Sequence, residues 1–433
     1  MAAGSNLERS SKCPDPMDIE RTNEIIDHLF RQKAGQMVSL LSRIFGIDKL
    51  EMIEDAVQEA MIAAMRKWPF GVPENPSAWL IQTARNRVID ELRRAGKSVG
   101  LETDEGLELQ DSASTTPGEQ LSPIGDDELR MIFACCSPAV AADSRVALTL
   151  KIVGGFSVPE IARAFLSNDE AIAKMLTRAK KRLRDDTNFP ELPPSRELLE
   201  RLDAVLRVLY LMFNEGFGAT AGDDLVRREL CFEAIRLAEM LLRSPETSTP
   251  KVQALAALFC FQAARLPART NEAGELVLLE DQDRSRWDMR LAERGLEHFR
   301  LSARGDERTE YHLESEIAGV YTLAPSFAET DWPRILACYD ELQRRRYSDV
   351  VELNRLIVLS RIEGVGRALS KLDAQFTDGR FDRFYLYQIT RGHFLAEAGR
   401  ESEAEAAFTK SLSLSDNTVV RRSLIERIAR LSR

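Results

Sequence analysis

The chain is short of the residues that build metal and disulfide sites. Four histidines are scattered over 433 residues, and none of the six cysteines falls in a CxxC pair. Cys135 and Cys136 are adjacent. That pattern indicates neither a zinc site nor a disulfide framework, and it suits a reducing cytoplasm. No apolar run approaches the roughly 18 residues that a membrane span needs. The N-terminal stretch MAAGSNLERSSKCPDPMDIE is polar and lacks the apolar segment of a signal peptide, so residues 1–17 read as a flexible tail. Strand-like alternation is almost absent, whereas helical periodicity runs nearly everywhere. The expected fold class is all-α, and the length predicts two or three domains.

Positive charge is also scarce overall, with 59 Lys and Arg against 69 Asp and Glu. Against that background, residues 171–184 carry six bases (Lys174, Arg178, Lys180, Lys181, Arg182 and Arg184) and no acid. Ser157-Val158-Pro159-Glu160 reads as a capping box, and Ser167-Asn168-Asp169-Glu170 repeats the pattern. Two helix starts so close predict a short helix, a tight turn and a second helix. Ile161, Ala164 and Phe165 face inward on the first; Ile172, Met175, Leu176, Ala179 and Leu183 form the stripe of the second. This is helix-turn-helix spacing, with the bases left on faces that can approach phosphates. A solvated basic face or a membrane-surface helix has the same local pattern, so the rest of the chain must decide.

Two breaks divide the helical pattern. From Leu101 to Glu128 there are nine acids (Glu102, Asp104, Glu105, Glu108, Asp111, Glu119, Asp126, Asp127 and Glu128) and no Lys or Arg. That composition reads as a disordered linker over residues 98–128. The second break, NFPELPPS at 188–195, precedes a long helical remainder. The expected plan is a helical module at 18–97, the acidic linker, a helix-turn-helix module at 129–187, and a helical domain at 198–433.

In the first module, Ile53, Val57, Ala60 and Ala64 share one helix face, opposite Asp55, Gln58 and Glu59. An acidic stripe of that kind is either solvated or docks a basic partner. RKWPFGVPENPSAW follows, a proline-rich loop flanked by Trp68 and Trp79. Aromatics there serve as core anchors or as base-stacking platforms. The next helix carries Arg85, Asn86, Arg87, Arg93, Arg94 and Lys97; Asn can pair with a base edge, and Arg with phosphate or guanine.

These residues resemble a known family. EDAVQEAMIAAMRKWP…NPSAWLIQTARNRVIDELRR is similar to region 2 of the extracytoplasmic-function sigma factors of bacterial RNA polymerase, within the sigma-70 family. Residues 129–184 resemble their region 4. LYLMFNEGF, LVLLEDQDRSRWD and TDWPRILACYDEL resemble a subgroup with a long tetratricopeptide-like C-terminal extension. The resemblance implies a protein that binds core RNA polymerase, recognises the −35 and −10 elements of promoter DNA and promotes melting. It implies that Asp55, Gln58 and Glu59 contact the polymerase. It assigns the −10 strand and melting to Trp68, Asn75, Trp79, Arg85, Asn86, Arg93 and Arg94, with Asn86 facing a base flipped into the proline-rich loop. It puts Ala171, Ala173, Lys174 and Met175 at base-facing positions of the −35 reader, and Arg178, Lys181 and Arg182 on phosphates. The commoner family pattern is more polar there and often has Arg where Met175 stands. Ala and Met suit thymine methyls and not the bidentate guanine contact. By the same resemblance the acidic linker threads toward the polymerase active centre, where its carboxylates mimic RNA phosphates or simply tether.

The C-terminal half reads as paired helices in an α-solenoid-like domain. In YQITRGHFLAEAGRESEAEAAFTKSLSL, Gly392, Gly399, Ala404 and Phe408 fall at tetratricopeptide positions, with Gln388 and Asp416 where the pattern has Trp and Pro. Such a domain offers a concave surface to a regulatory protein. LLEDQDRSRWD gathers Glu280, Asp281, Asp283 and Asp288 with Arg284, Arg286 and Trp287. Paired carboxylates suggest an enzyme, but a helix cap at Asp283 and acid–base pairs between helices are the better reading. NEGF at 214–217 reads as a turn. No catalytic residue, metal or cofactor is expected. A dimeric helix-turn-helix regulator working without polymerase, or a helical scaffold, are the competing readings; neither needs a base-flipping loop.

Overall fold

The computed structural model describes residues 33–98, 124–165, 167–185, 195–218, 221–222, 225–272, 274–375 and 384–431. The N-terminal tail, the acidic stretch 99–123 and most of NFPELPPS lie outside the described residues. The fold is all-α. Its one strand pairing among the described residues joins only Ala221–Gly222 to Asp416–Asn417 in parallel. The chain divides into two compact units: Met1–Ser144, Leu148–Ser157 and Leu176–Leu192 form one, and Arg145–Ala147, Val158–Met175 and Pro193–Arg433 the other.

Among the described residues of the first unit, α1 (33–45) is followed by α2 (Leu50–Lys67) and α3 (Pro76–Ser98). Ile53, Ala56, Val57, Ala60, Met61 and Ala64 are buried on α2; they recur at the spacing of one helix face. Leu80, Ala84 and Val88, one turn apart on α3, are fully buried, and the two helices pack together. Next comes α4 (Ile124–Cys135), then α5 (Ala142–Ile152). Here the acidic linker ends sooner than its composition suggests. Residues 124–128 are helical, and Asp127 and Glu128 are each 1% exposed. Asp127 faces the Arg43 Nε at 2.8 Å and the Arg130 Nη1 at 3.1 Å. A carboxylate with cations in place belongs to the core, whatever its acidic neighbours are.

The helix-turn-helix is formed by α6 (Val158–Ala164) and α7 (Asp169–Asp185). Ile161 on α6 and Ile172, Leu176, Ala179 and Leu183 on α7 are buried, and Met175 is half-buried. The start of α7 is capped by Asn168 and not by Ser167: the Asn168 Oδ1 accepts from the Ala171 N–H at 2.8 Å.

In the second unit, α8 (Ser195–Phe217), α9 (Arg228–Arg243), α10 (Pro250–Ala264), α11 (Met289–Ser302) and α12 (Glu310–Leu323) share one core. α10 is apolar on nearly every side: Val252, Leu255, Leu258, Phe259, Phe261 and the alanines between them are buried. Phe259 stacks on Phe213 at 4.4 Å between ring centroids. NEGF is the last turn of α8 and not a loop. Gly216 is there for space: a Cβ would lie 2.8 Å from the Cys231 backbone nitrogen. Glu215 beside it pairs with Arg227 at 3.1 Å.

Helices α13 (Trp332–Arg345), α14 (Asp349–Glu363), α15 (Val365–Gln375), α16 (Tyr385–Glu397), α17 (Glu401–Leu414) and α18 (Thr418–Leu431) complete the unit. α16 and α17 pack closely across the turn Ala398–Arg400. Their contact needs Gly392, since a Cβ there would meet the Phe408 ring at 2.5 Å. Gln388 is 4% exposed in the same pair of helices.

Candidate nucleic-acid interface

The loop between α2 and α3 is set by local chemistry. Trp68 and Pro69 form a 3-10 turn at the end of α2. Asn75 then caps α3, its Oδ1 accepting from the Ala78 N–H at 3.0 Å, and Pro76 stands at the first helical position, where no N–H is needed. Trp68 is 2% exposed and meets Trp79 edge-on, with centroids 5.6 Å apart and planes at 63°. It anchors the loop and offers no face to a base. Trp79 is half-buried, with the Lys67 Nζ 5.7 Å from its ring centroid.

A cleft of about 610 Å³ opens between α2 and α3, lined by Glu59, Ile62, Ala63, Arg66, Lys67, Thr83, Asn86, Arg87 and Asp90. Asn86 is exposed within it, and its Oδ1 accepts from the Gln82 Nε2 at 2.9 Å. Arg93, seven residues on, shares that helix face and is exposed; Arg94 is exposed and Arg85 half-buried. The cleft thus combines an amide that can read a base edge with the cations Arg66, Lys67 and Arg87, while Arg85, Arg93 and Arg94 lie outside its lining.

Asp55, Gln58 and Glu59 are all exposed on α2. Glu59 is engaged by Arg87, Nη1 to Oε2 at 3.2 Å. On α7 the residues Ala171, Ala173, Lys174, Arg178, Lys181 and Arg182 are exposed and Met175 is half-buried. The Lys174 Nζ lies 2.6 Å from the Glu170 Oε1.

One base of the α7 run, Lys180, is turned inward and not available to DNA. The Lys180 Nζ donates to the Glu54 Oε2 of α2 at 2.5 Å, with both side chains largely buried. Arg184 approaches Glu51 at 3.6 Å. Sequence reasoning missed Glu54, although it carried a signal: the residue lies four after Leu50 and three before Val57, on the apolar stripe. A carboxylate on a core face predicts a buried partner.

In the second unit the acidic run performs structural work. The Asp283 Oδ1 accepts from the Ser285 N–H at 2.9 Å and from its hydroxyl at 2.7 Å. Those bonds hold its carboxyl below the usual range. Asp288 caps α11, accepting from the Arg290 and Leu291 N–H groups. Glu280 pairs with Arg361 at 2.8 Å.

The family model for sigma-70 region 2 matches residues 29–98, which hold α2, the tryptophan loop and α3. Residues 29–98 are thus a sigma-70 region 2 domain. A family of unknown function (DUF6596) matches residues 201–303. An uncharacterized protein of Rhizobium meliloti (strain 1021) is 37% identical over 385 residues, covering 88% of this chain and 90% of the relative. No solved structure matches. No described helix is long and apolar enough to cross a membrane.

Proposed function

We propose that this chain is a sigma factor of the sigma-70 family, of the extracytoplasmic-function group, acting in the cytoplasm on core RNA polymerase and promoter DNA. The observation that carries the reading is the α2–α3 cleft, which exposes Asn86 inside the span that matches region 2. Asp55, Gln58 and Glu59 face the polymerase. Asn86 receives a base flipped from the melted strand, and Arg85, Arg93 and Arg94 hold the backbone around it. Flipping costs a few kcal/mol of unstacking, which a preformed cleft offsets. α7 enters the major groove at the −35 element, with Ala171, Ala173, Lys174 and Met175 toward the bases. Arg178, Lys181 and Arg182 lie on phosphates. The protein has no catalytic residues of its own. Its C-terminal helices form a tetratricopeptide-like extension that supports initiation and takes a regulatory protein on its surface.

The deciding experiment is promoter-dependent transcription by purified core polymerase, with and without this protein. Asn86→Ala should leave holoenzyme assembly intact and lower open-complex yield about tenfold, the worth of one lost base contact. An unchanged open-complex yield removes Asn86 from the site. No transcription at any promoter, with DNA binding retained, would favour a helix-turn-helix regulator that works alone.

A further inference from the structure

Three arginines converge where α8, α10 and the segment before α11 end. Arg265 follows α10, Arg269 closes the 3-10 turn Leu266–Ala268, and Arg284 begins the turn before Trp287. The Arg269 guanidinium carbon lies 3.8 Å from the centroid of Phe217, the last residue of α8. Arg265 lies 6.0 Å from the same ring and 5.8 Å from Trp287, and Arg284 lies 4.3 Å from Trp287. The corner is fixed by backbone: the Asp288 N–H donates to the Ala264 carbonyl at 2.8 Å.

Arginines on aromatic faces are common, and Arg284 is partly accounted for by its bonds to the Tyr321 and Ala324 carbonyls at 3.2 and 2.7 Å. The donors left over are the unusual feature. The Arg265 Nε, Arg269 Nε, Arg284 Nη2 and Trp287 Nε1 are all buried without an acceptor among the described residues. Arg265 as a residue is only 7% exposed, and its one side-chain bond among the described residues is a 3.5 Å contact with Gln262. Among the described residues no carboxylate pairs with Arg265 or Arg269. Buried polar groups in folded proteins nearly always have partners, and a buried charge without one is costly. Several unpaired donors of one sign in one corner form a receptor for an acceptor that bears negative charge.

We propose that the Arg265–Arg269–Arg284 corner binds a small oxyanion, a phosphate or carboxylate group, held by the guanidinium edges and the Trp287 indole. The planar fork of arginine suits both groups, because each presents two oxygens to parallel N–H donors. Desolvation and mutual repulsion push Arg265 down to about 9, and burial pushes Arg269 down to about 10. Arginine stays charged at neutral pH, so that strain is carried by the free protein and relieved when an anion enters.

The test uses the full chain. Thermal melts are recorded in increasing inorganic phosphate, in succinate and in sodium chloride at matched ionic strength. The expected result is a saturable rise in Tm of several degrees with phosphate or succinate and none with chloride. A phosphate response alone marks a phosphate-bearing ligand, and a succinate response alone a carboxylate. Arg269→Met should weaken the responding anion at least tenfold, and Arg269→Lys should retain part of the response. If Arg269→Met fails to fold, Arg265→Met provides the same comparison, and phosphorus-31 line broadening of phosphate by the native protein provides a direct one. Equal melts in all three salts, or an unchanged response in the Met variants, would overturn the proposal, as would absence of line broadening where phosphate had raised the Tm.

Discussion

Two buried corners of this molecule handle charge in opposite ways. In the N-terminal unit, Glu54 is 7% exposed and Asp127 1%, and each has its cation: Lys180 for the first, Arg43 and Arg130 for the second. At the end of α10, Arg265 is just as buried and leans on aromatic rings, with no acid among the described residues. Desolvating an ion costs several kcal/mol wherever it happens. In the first corner the partner is built into the chain. In the second the chain supplies only half of the interaction. The first arrangement is therefore architecture, and the second is a receptor.

The comparison breaks most visibly at Lys180. Lys180→Met leaves Glu54 buried and unpaired, and should destabilise the first unit by about 3 kcal/mol. Adding Glu54→Leu removes the second charge and should recover most of that loss. Hydrogen exchange along α2 measures both; a double variant as weakened as the single one would show that the pair is not what matters. A second test concerns His393. The Arg427 Nη1 lies 2.8 Å from its Nε2, and an arginine can only donate, so the imidazole accepts and is neutral. Burial first, then Arg427 and Arg361, push it down to about 4. The unfolded chain takes up the proton from its ordinary value near 6.5 downward, so stability is lost as pH falls from about 6.5 to 4, by at most about 3 kcal/mol. His298 and His312, also lowered by burial, add to the same loss. His393→Gln should flatten the acid limb of the Tm-against-pH curve; a superimposable curve would rule out His393 as the main source. The smallest effect sharpens the contrast within α7. Arg178→Ala and Arg182→Ala should each lower the salt slope of DNA binding by about one counterion. Lys180→Met should leave the slope alone, because that lysine already has its anion. Equal slopes for all three would mean that the faces of α7 are assigned wrongly.

Much of this was legible in the sequence, because periodicity reports which face is buried. Ile53, Val57, Ala60 and Ala64 on α2, and Ile172, Leu176, Ala179 and Leu183 on α7, follow from spacing alone, as does the exposed Asp55, whereas Asn86 is singled out by the family resemblance. What stayed hidden depends on contacts across long separations. Lys180 and Glu54 are 126 residues apart, and nothing local marks which of six bases turns inward. Asp127 sits in an acidic run and has the composition of linker, but α4 brings it to Arg43. The NEGF glycine resembles a turn because glycine serves both turns and close packing, and only the neighbouring helix tells the two apart. The aromatic-mounted arginines could not be found at all, since Phe217, Arg265 and Trp287 share no sequence pattern.

α10 sets a limit on how the C-terminal unit can come apart. A row of repeats touching only its neighbours can melt from its ends, one repeat at a time. α10 instead packs against α8, α9, α11 and α12 and buries nearly all its side chains among them. Opening any one of those four wets the fifth, so residues 195–323 should open together as one cooperative block. Helix pairs can be appended beyond α12, as α13 to α18 are, but none can be excised from within. A chain cut within that block should therefore lose its five helices together.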